Sequence, residues 1–131
     1  MRFLLDTHIW LWSLLEPKRL SRKVARELER PGNELWLSPV SVWEVLVLSG
    51  RGRIALEGGA ESWIKRALDA APLREAPLTY EVALATERIR LPHRDPADRF
   101  LAATAMVYGL TLVTADGNLG KSRDFAVLMS R

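Results

Sequence analysis

Apolar and polar positions along this chain follow two patterns that take turns from one end to the other. Short apolar runs, of the kind that fill a strand covered on both faces, occur at residues 2–6, 34–37, 73–76, 111–115 and 126–129. Between them lie longer stretches whose apolar residues recur every three or four positions, the spacing of one helix face. These predict helices over residues 9–15, 22–30, 39–50, 61–71, 79–90 and 95–109. Side-chain chemistry marks the ends. Ser21 and Thr79 are cap residues, and Ser38-Pro39 and Asp95-Pro96 each set a cap before a proline at the first helical position. Gly50 and Gly109 stop their helices, and Pro31-Gly32-Asn33 makes a turn.

Five strands separated mostly by helices imply one α/β domain over residues 1–131, a mostly parallel sheet with helices on both faces. No internal repeat, low-complexity tract or linker interrupts it. In such sheets, sites gather at the carboxyl ends of the strands, near the point where strand order reverses. That rule directs attention to four acids.

Asp6 closes the first strand and Asp116 the fourth, so both belong on the carboxyl edge. Taken singly, each is also what a turn or helix cap looks like. Glu44 is harder to explain away. Its neighbours three and four positions off are Val40, Ser41, Val47 and Leu48, so its carboxylate lies on an apolar face. A carboxylate there is paired or holds a cation, because burying it alone costs several kcal/mol. The alternative is a capping box with Ser41, but Ser38-Pro39 already starts the helix and leaves Glu44 too far inside to cap. Asp98 follows Asp95-Pro96. Asp95 suits the cap position because a residue before proline is extended, and Asp98 then falls in the first turn, where the helix dipole favours an acid. Carboxylates gathered without a cation repel one another, and an all-oxygen set suits a hard divalent ion such as Mg²⁺.

Composition narrows the classes. At 131 residues, 48% hydrophobic and 27% charged, the chain has the make-up of a globular domain. Lys and Arg number 19 against 16 acids, a net charge of +3 that permits a polyanionic partner without demanding one. The absence of cysteine excludes disulfides and thiolate-bound zinc and fits a reducing cytoplasmic setting. Asp6 and His8 break the first apolar run, so neither a secretory leader nor a membrane span is expected. His8 and His93 lack a zinc spacing and read as surface or packing residues. Lys18, Arg19, Arg22, Lys23 and Arg26 form a basic run, ordinarily a solvated face and alternatively a phosphate contact. The tryptophans read as core or interface residues, and an exposed one could stack on a base.

Four blocks in order carry a family likeness: Phe3-Leu4-Leu5-Asp6-Thr7-His8, Leu37-Ser38-Pro39-Val40-Ser41-Val42-Trp43-Glu44, residues 95–105 beginning Asp95-Pro96-Ala97-Asp98, and Leu112-Val113-Thr114-Ala115-Asp116. With them the chain resembles the PIN-domain ribonucleases, and among these the VapC-type toxins of bacterial toxin–antitoxin pairs. The resemblance implies a three-layer α/β/α sandwich around a central, mostly parallel five-stranded sheet. It implies RNA hydrolysis dependent on Mg²⁺ or Mn²⁺, with Asp6, Glu44, Asp98 and Asp116 as the acidic, metal-holding set. Thr114 matches a position that hydrogen-bonds near the metal, and a local strand-end bond is its plain alternative. Family members commonly dimerise and are silenced by a cognate antitoxin, so a homodimer or a hetero-oligomer with that antitoxin is implied. The segment from Val40 to Leu48 is apolar on nearly every side, more than one core contact requires, and is expected with the helix at 9–15 to receive such a partner. Two rivals remain: a PIN-fold module that binds RNA or protein without cutting, and a phosphoacceptor domain. The second would need paired acids after the first strand and an aspartate after the third, and the chain has neither.

Overall fold

The computed structural model describes residues 1–91 and 95–131, so His93 lies outside the described residues. Among the described residues five strands form one sheet: β1 (Arg2–Leu5), β2 (Glu34–Leu37), β3 (Leu73–Glu75), β4 (Thr111–Thr114) and β5 (Val127–Met129). Their order is β3-β2-β1-β4-β5, and every pairing is parallel rather than mostly so. The order reverses between β1 and β4, where Leu4 lies opposite Leu112 and Leu5 opposite Val113.

Side chains alternate across the pleat, and both faces are covered. Phe3, Leu5 and Val113 join one cluster with Ile9 and Trp10 of α1 (Thr7–Leu15), Val24 of α2 (Arg22–Glu29), Val45 of α3 (Pro39–Gly50) and Ile64 of α4 (Ala60–Ala70). Leu4 and Leu112 face the other way, onto Leu101 and Ala105 of α6 (Pro96–Tyr108) and Leu119 of α7 (Gly117–Gly120). On the outer side of α6, Ala102 and Ala103 meet Val82 and Ala85 of α5 (Tyr80–Ala85). The result is the expected three-layer α/β/α sandwich. Among the described residues no helix is long and apolar enough to cross a membrane.

Three local features differ from the sequence reading. Helix α1 begins at Thr7 rather than residue 9, because Asp6 caps it directly. Helix α5 ends at Ala85 and passes into a 3-10 turn at Thr86–Arg88 instead of running to residue 90. There the Arg99 guanidinium donates to the carbonyls of Thr86 and Ile89 at 3.1 and 2.8 Å, and the Arg90 N–H goes to Asp124. These partners take the backbone groups that another helical turn would have used. Another 3-10 turn at Pro17–Arg19 and the short α7 leave no mark in the apolar pattern. At the other end of α6 the expected stop is present: Gly109 adopts φ 64°, ψ 39°, a left-handed conformation that glycine enters without steric cost.

Candidate functional site

The backbone at the reversal point prepares the site. The Asp6 N–H extends the ladder to the Val113 carbonyl at 2.9 Å, and the chain then turns into α1. Asp6 is the cap of that helix, its Oδ1 accepting the Thr7 N–H at 2.8 Å. One strand over, β4 ends at Thr114, and Asp116 caps α7 by accepting the Asn118 N–H at 2.8 Å. Thr114 ties the two ends together. Its hydroxyl donates to Asp6 Oδ2 at 2.6 Å and accepts the Asp116 N–H at 3.0 Å. Both readings of these acids therefore hold at once, since each caps a helix and each borders the carboxyl edge.

Glu44 arrives from the middle of α3. Ser38 caps that helix through the Val40 N–H at 3.0 Å, with Pro39 in the first position. Glu44 accepts a hydrogen bond from the Thr7 hydroxyl, which also meets the buried Ser41 hydroxyl at 2.9 Å. Asp98 comes from the first turn of α6, whose cap is Asp95, accepting the Ala97 N–H at 3.0 Å. Asp95 is the cap and Asp98 the first-turn acid, as the proline rule requires.

All four expected acids line a single cleft of about 410 Å³, together with Asp95, His8, Trp12, Arg19 and Ala115. Five carboxylates on one wall have electrostatic consequences. Burial pushes Asp98 upward, and repulsion from Asp95, Asp6, Asp116 and Glu44 adds to it, carrying its carboxyl to about 7. Burial also raises Asp6, opposed by the bonds from Thr114 and Thr7 and by the His8 ring. Glu44 is raised by burial and by Asp6 and Asp95, against the bond from Thr7. The dipole of α6 favours a negative Asp98, but desolvation and four like charges outweigh it. The site in this form holds more negative charge than it can ionise comfortably.

Its donors are all carboxylate oxygens, the chemistry that suits a hard divalent ion. Among the described residues no three such side chains form a ready-made cage. Mg²⁺ does not need one, because it keeps several waters and takes one or two carboxylates directly.

Several neighbours are not evident from the sequence. Thr7 and Ser41 lie 34 positions apart and meet only through packing of α1 on α3. His8, expected as a surface or packing residue, is exposed but borders the cleft. Trp12 and Arg19 do so too, although in the sequence Arg19 stands out only as part of a basic run. The available signal is helical spacing, which sets His8 and Trp12 four apart on one face of α1.

Comparison with known proteins gives a consistent result. The PIN domain family model matches residues 3–123. A relative, Ribonuclease VapC22 of Mycobacterium tuberculosis (strain ATCC 25618 / H37Rv), is 35% identical over 123 residues, spanning 92% of this chain and 91% of its own. Among solved structures, VapBC2 from Rickettsia felis, bound to a DNA fragment from its promoter, covers 100% of both chains with a TM-score of 0.75 at 16% identity. FitAcB from Neisseria gonorrhoeae covers 96% of each chain with a TM-score of 0.67 at 25% identity.

Proposed function

The chain belongs to the PIN domain family, and from that premise we propose that it is a Mg²⁺- or Mn²⁺-dependent endoribonuclease, the toxin of a toxin–antitoxin pair. One observation carries the reading: four carboxylates from four separate elements line one cleft at the reversal point of the sheet. Asp6, Glu44, Asp98 and Asp116 would hold the cation, with Thr114 supporting Asp6. A divalent ion bound there supplies Lewis-acid polarisation of the phosphodiester and an activated water.

The chain's own contribution is orientation and charge. The Thr7 N–H and the Thr114 hydroxyl fix both oxygens of Asp6, so its carboxylate cannot rotate away. The Thr7 hydroxyl fixes Glu44 from the same helix terminus, so one residue aligns two acids. Asp98 and Asp116 approach from the opposite side of the reversal point, on α6 and at the start of α7. Repulsion within this wall favours any ligand that brings positive charge, which ties metal binding to the stability of the folded site.

The partner is a cognate antitoxin, as the likeness to VapC-type toxins implies. Exposed Leu14 and Leu15 on α1 and Trp43 and Leu46 on α3 support that reading, because they form apolar surface beyond what the core uses. The test is cleavage of mixed-sequence RNA by pure protein with Mg²⁺ or Mn²⁺ and with EDTA, followed by sequencing of RNA ends after brief induction in cells. Cutting that survives EDTA and is undiminished in Asp6→Asn would overturn the assignment.

A further inference from the structure

The acid cleft has a second wall of different chemistry. A 3-10 turn at Pro17–Arg19, closed by the Arg19 N–H on the Glu16 carbonyl at 2.9 Å, brings Arg19 back towards α1. Its guanidinium lies over the Trp12 ring, 4.2 Å from the centroid, and Trp12 in turn contacts His8 at 6.0 Å between ring centroids. Nη1 donates to Glu16 at 3.2 Å. Among the described residues that line the acid cleft, Arg19 is the one lysine or arginine.

A cleft with five carboxylates repels every phosphate of a polynucleotide, including those beside the bond to be cut. A single cation at the reacting phosphate does not relieve its neighbours. Arg19 answers that need at the rim. A guanidinium held over an aromatic ring by its face keeps its N–H groups available for hydrogen bonds, and their fork matches a phosphate's oxygens. One N–H is committed to Glu16, which leaves others for an incoming oxygen. The arginine is half-exposed, 56% at its side chain, so a phosphate can reach it without unfolding the turn.

We infer that Arg19, held by the Trp12 ring and Glu16, is a substrate-positioning residue that grips an RNA phosphate next to the scissile one. The inference rests on the ribonuclease reading and adds the subsite that sets how the strand enters. It also assigns Trp12 a role, as the platform that holds the guanidinium at the cleft.

The test uses the whole 131-residue chain. Binding of a single-stranded RNA oligonucleotide is measured across a range of salt on an Asp98→Asn background, with Arg19→Ala, Arg19→Lys and, as a charge control outside the cleft, Lys65→Ala. Each phosphate contact to a single strand contributes about 0.7 to the slope of log K against log salt. Arg19→Ala is expected to flatten that slope by about 0.7, whereas Lys65→Ala leaves it unchanged. In otherwise wild-type protein Arg19→Ala should raise KM about tenfold, the worth of one charge-assisted hydrogen bond, with kcat within about twofold. Arg19→Lys should restore the salt slope but only part of KM, because an ammonium keeps the charge and loses the fork. An unaltered slope and KM in Arg19→Ala, beside a wild-type protein that cleaves RNA, would overturn this inference alone. A wild-type protein that cuts no RNA would overturn the ribonuclease reading instead.

Discussion

Replacing Asp98 by asparagine should make the metal-free protein more stable while abolishing its cleavage of RNA. In the absence of a cation the Asp98 carboxyl is carried to about 7 by burial and by four neighbouring carboxylates. An unfolded aspartate ionises at about 3.9, and each tenfold change in that equilibrium is worth about 1.4 kcal/mol, so the penalty has a ceiling of about 4 kcal/mol. Asp98 is only half-buried, and solvent screening reduces that to about 1–2 kcal/mol. The sign follows from the folded value being the higher one. The stability that the neutral carboxyl contributes is complete below about pH 4 and is lost as pH rises through about 7. Asparagine does not titrate, so the gap in favour of Asp98→Asn should open above about pH 4 and level off beyond about pH 7. At about 4 °C per kcal/mol for a domain of this size, it should reach about 4–8 °C in melting temperature at pH 8. The assay is thermal melting in EDTA from pH 4.5 to 8.5, repeated with Mg²⁺. Added Mg²⁺ should stabilise the wild type more than the variant. A variant no more stable than wild type at pH 8 in EDTA, or one stabilised equally by Mg²⁺, would refute the electrostatic account of this cleft.

The neighbouring acid should behave differently: Asp95→Asn keeps the cap and the melting temperature, whereas Asp95→Ala loses about 0.5–2 kcal/mol, read by chemical denaturation. A dead but well-folded Asp95→Asn beside an active Asp98→Asn would transfer the site role from Asp98 to Asp95. Thr114→Val removes the hydroxyl that holds Asp6 down, so the acid limb of the cleavage profile should move to higher pH, with a loss of about 1–3 kcal/mol in stability. An unmoved pH profile would deny Thr114 that part. Trp43, 59% exposed on α3, should tolerate serine without a fall in melting temperature while association with the antitoxin or with a second copy weakens, measured by light scattering of the co-expressed proteins. Unchanged association in both would remove α3 from the partner surface.

How much of this is legible in the sequence depends on how local each signal is. The strands and most helices are, because burial of a strand on two faces leaves a continuous apolar run and burial of one helix face leaves a period of 3.6. Asp6 and Asp116 follow from their places at strand ends, and Glu44 from an acid on an apolar face. Asp98 is separable from Asp95 because proline constrains the residue before it. What the pattern cannot supply are meetings across the fold. The Thr7 hydroxyl reaches Glu44 across 37 positions, and the Arg99 guanidinium ends α5 from another helix. Arg19 belongs to a basic run in the sequence and joins the cleft only because the turn at Pro17–Arg19 doubles back onto Trp12.

The bond from Thr114 to Asp6 spans 108 positions, and β1 finds its second neighbour only when β4 is present. During synthesis the first strand leaves the ribosome long before the residues that complete its carboxyl edge. Until then Asp6 has neither Thr114 nor Asp116 beside it, whatever the helices between them have done. Such long-range closure is slow compared with local helix formation. A nascent chain interrupted before β4 therefore lacks Thr114 and Asp116, and the carboxyl edge around Asp6 is completed only when the last fifth of the chain has been made.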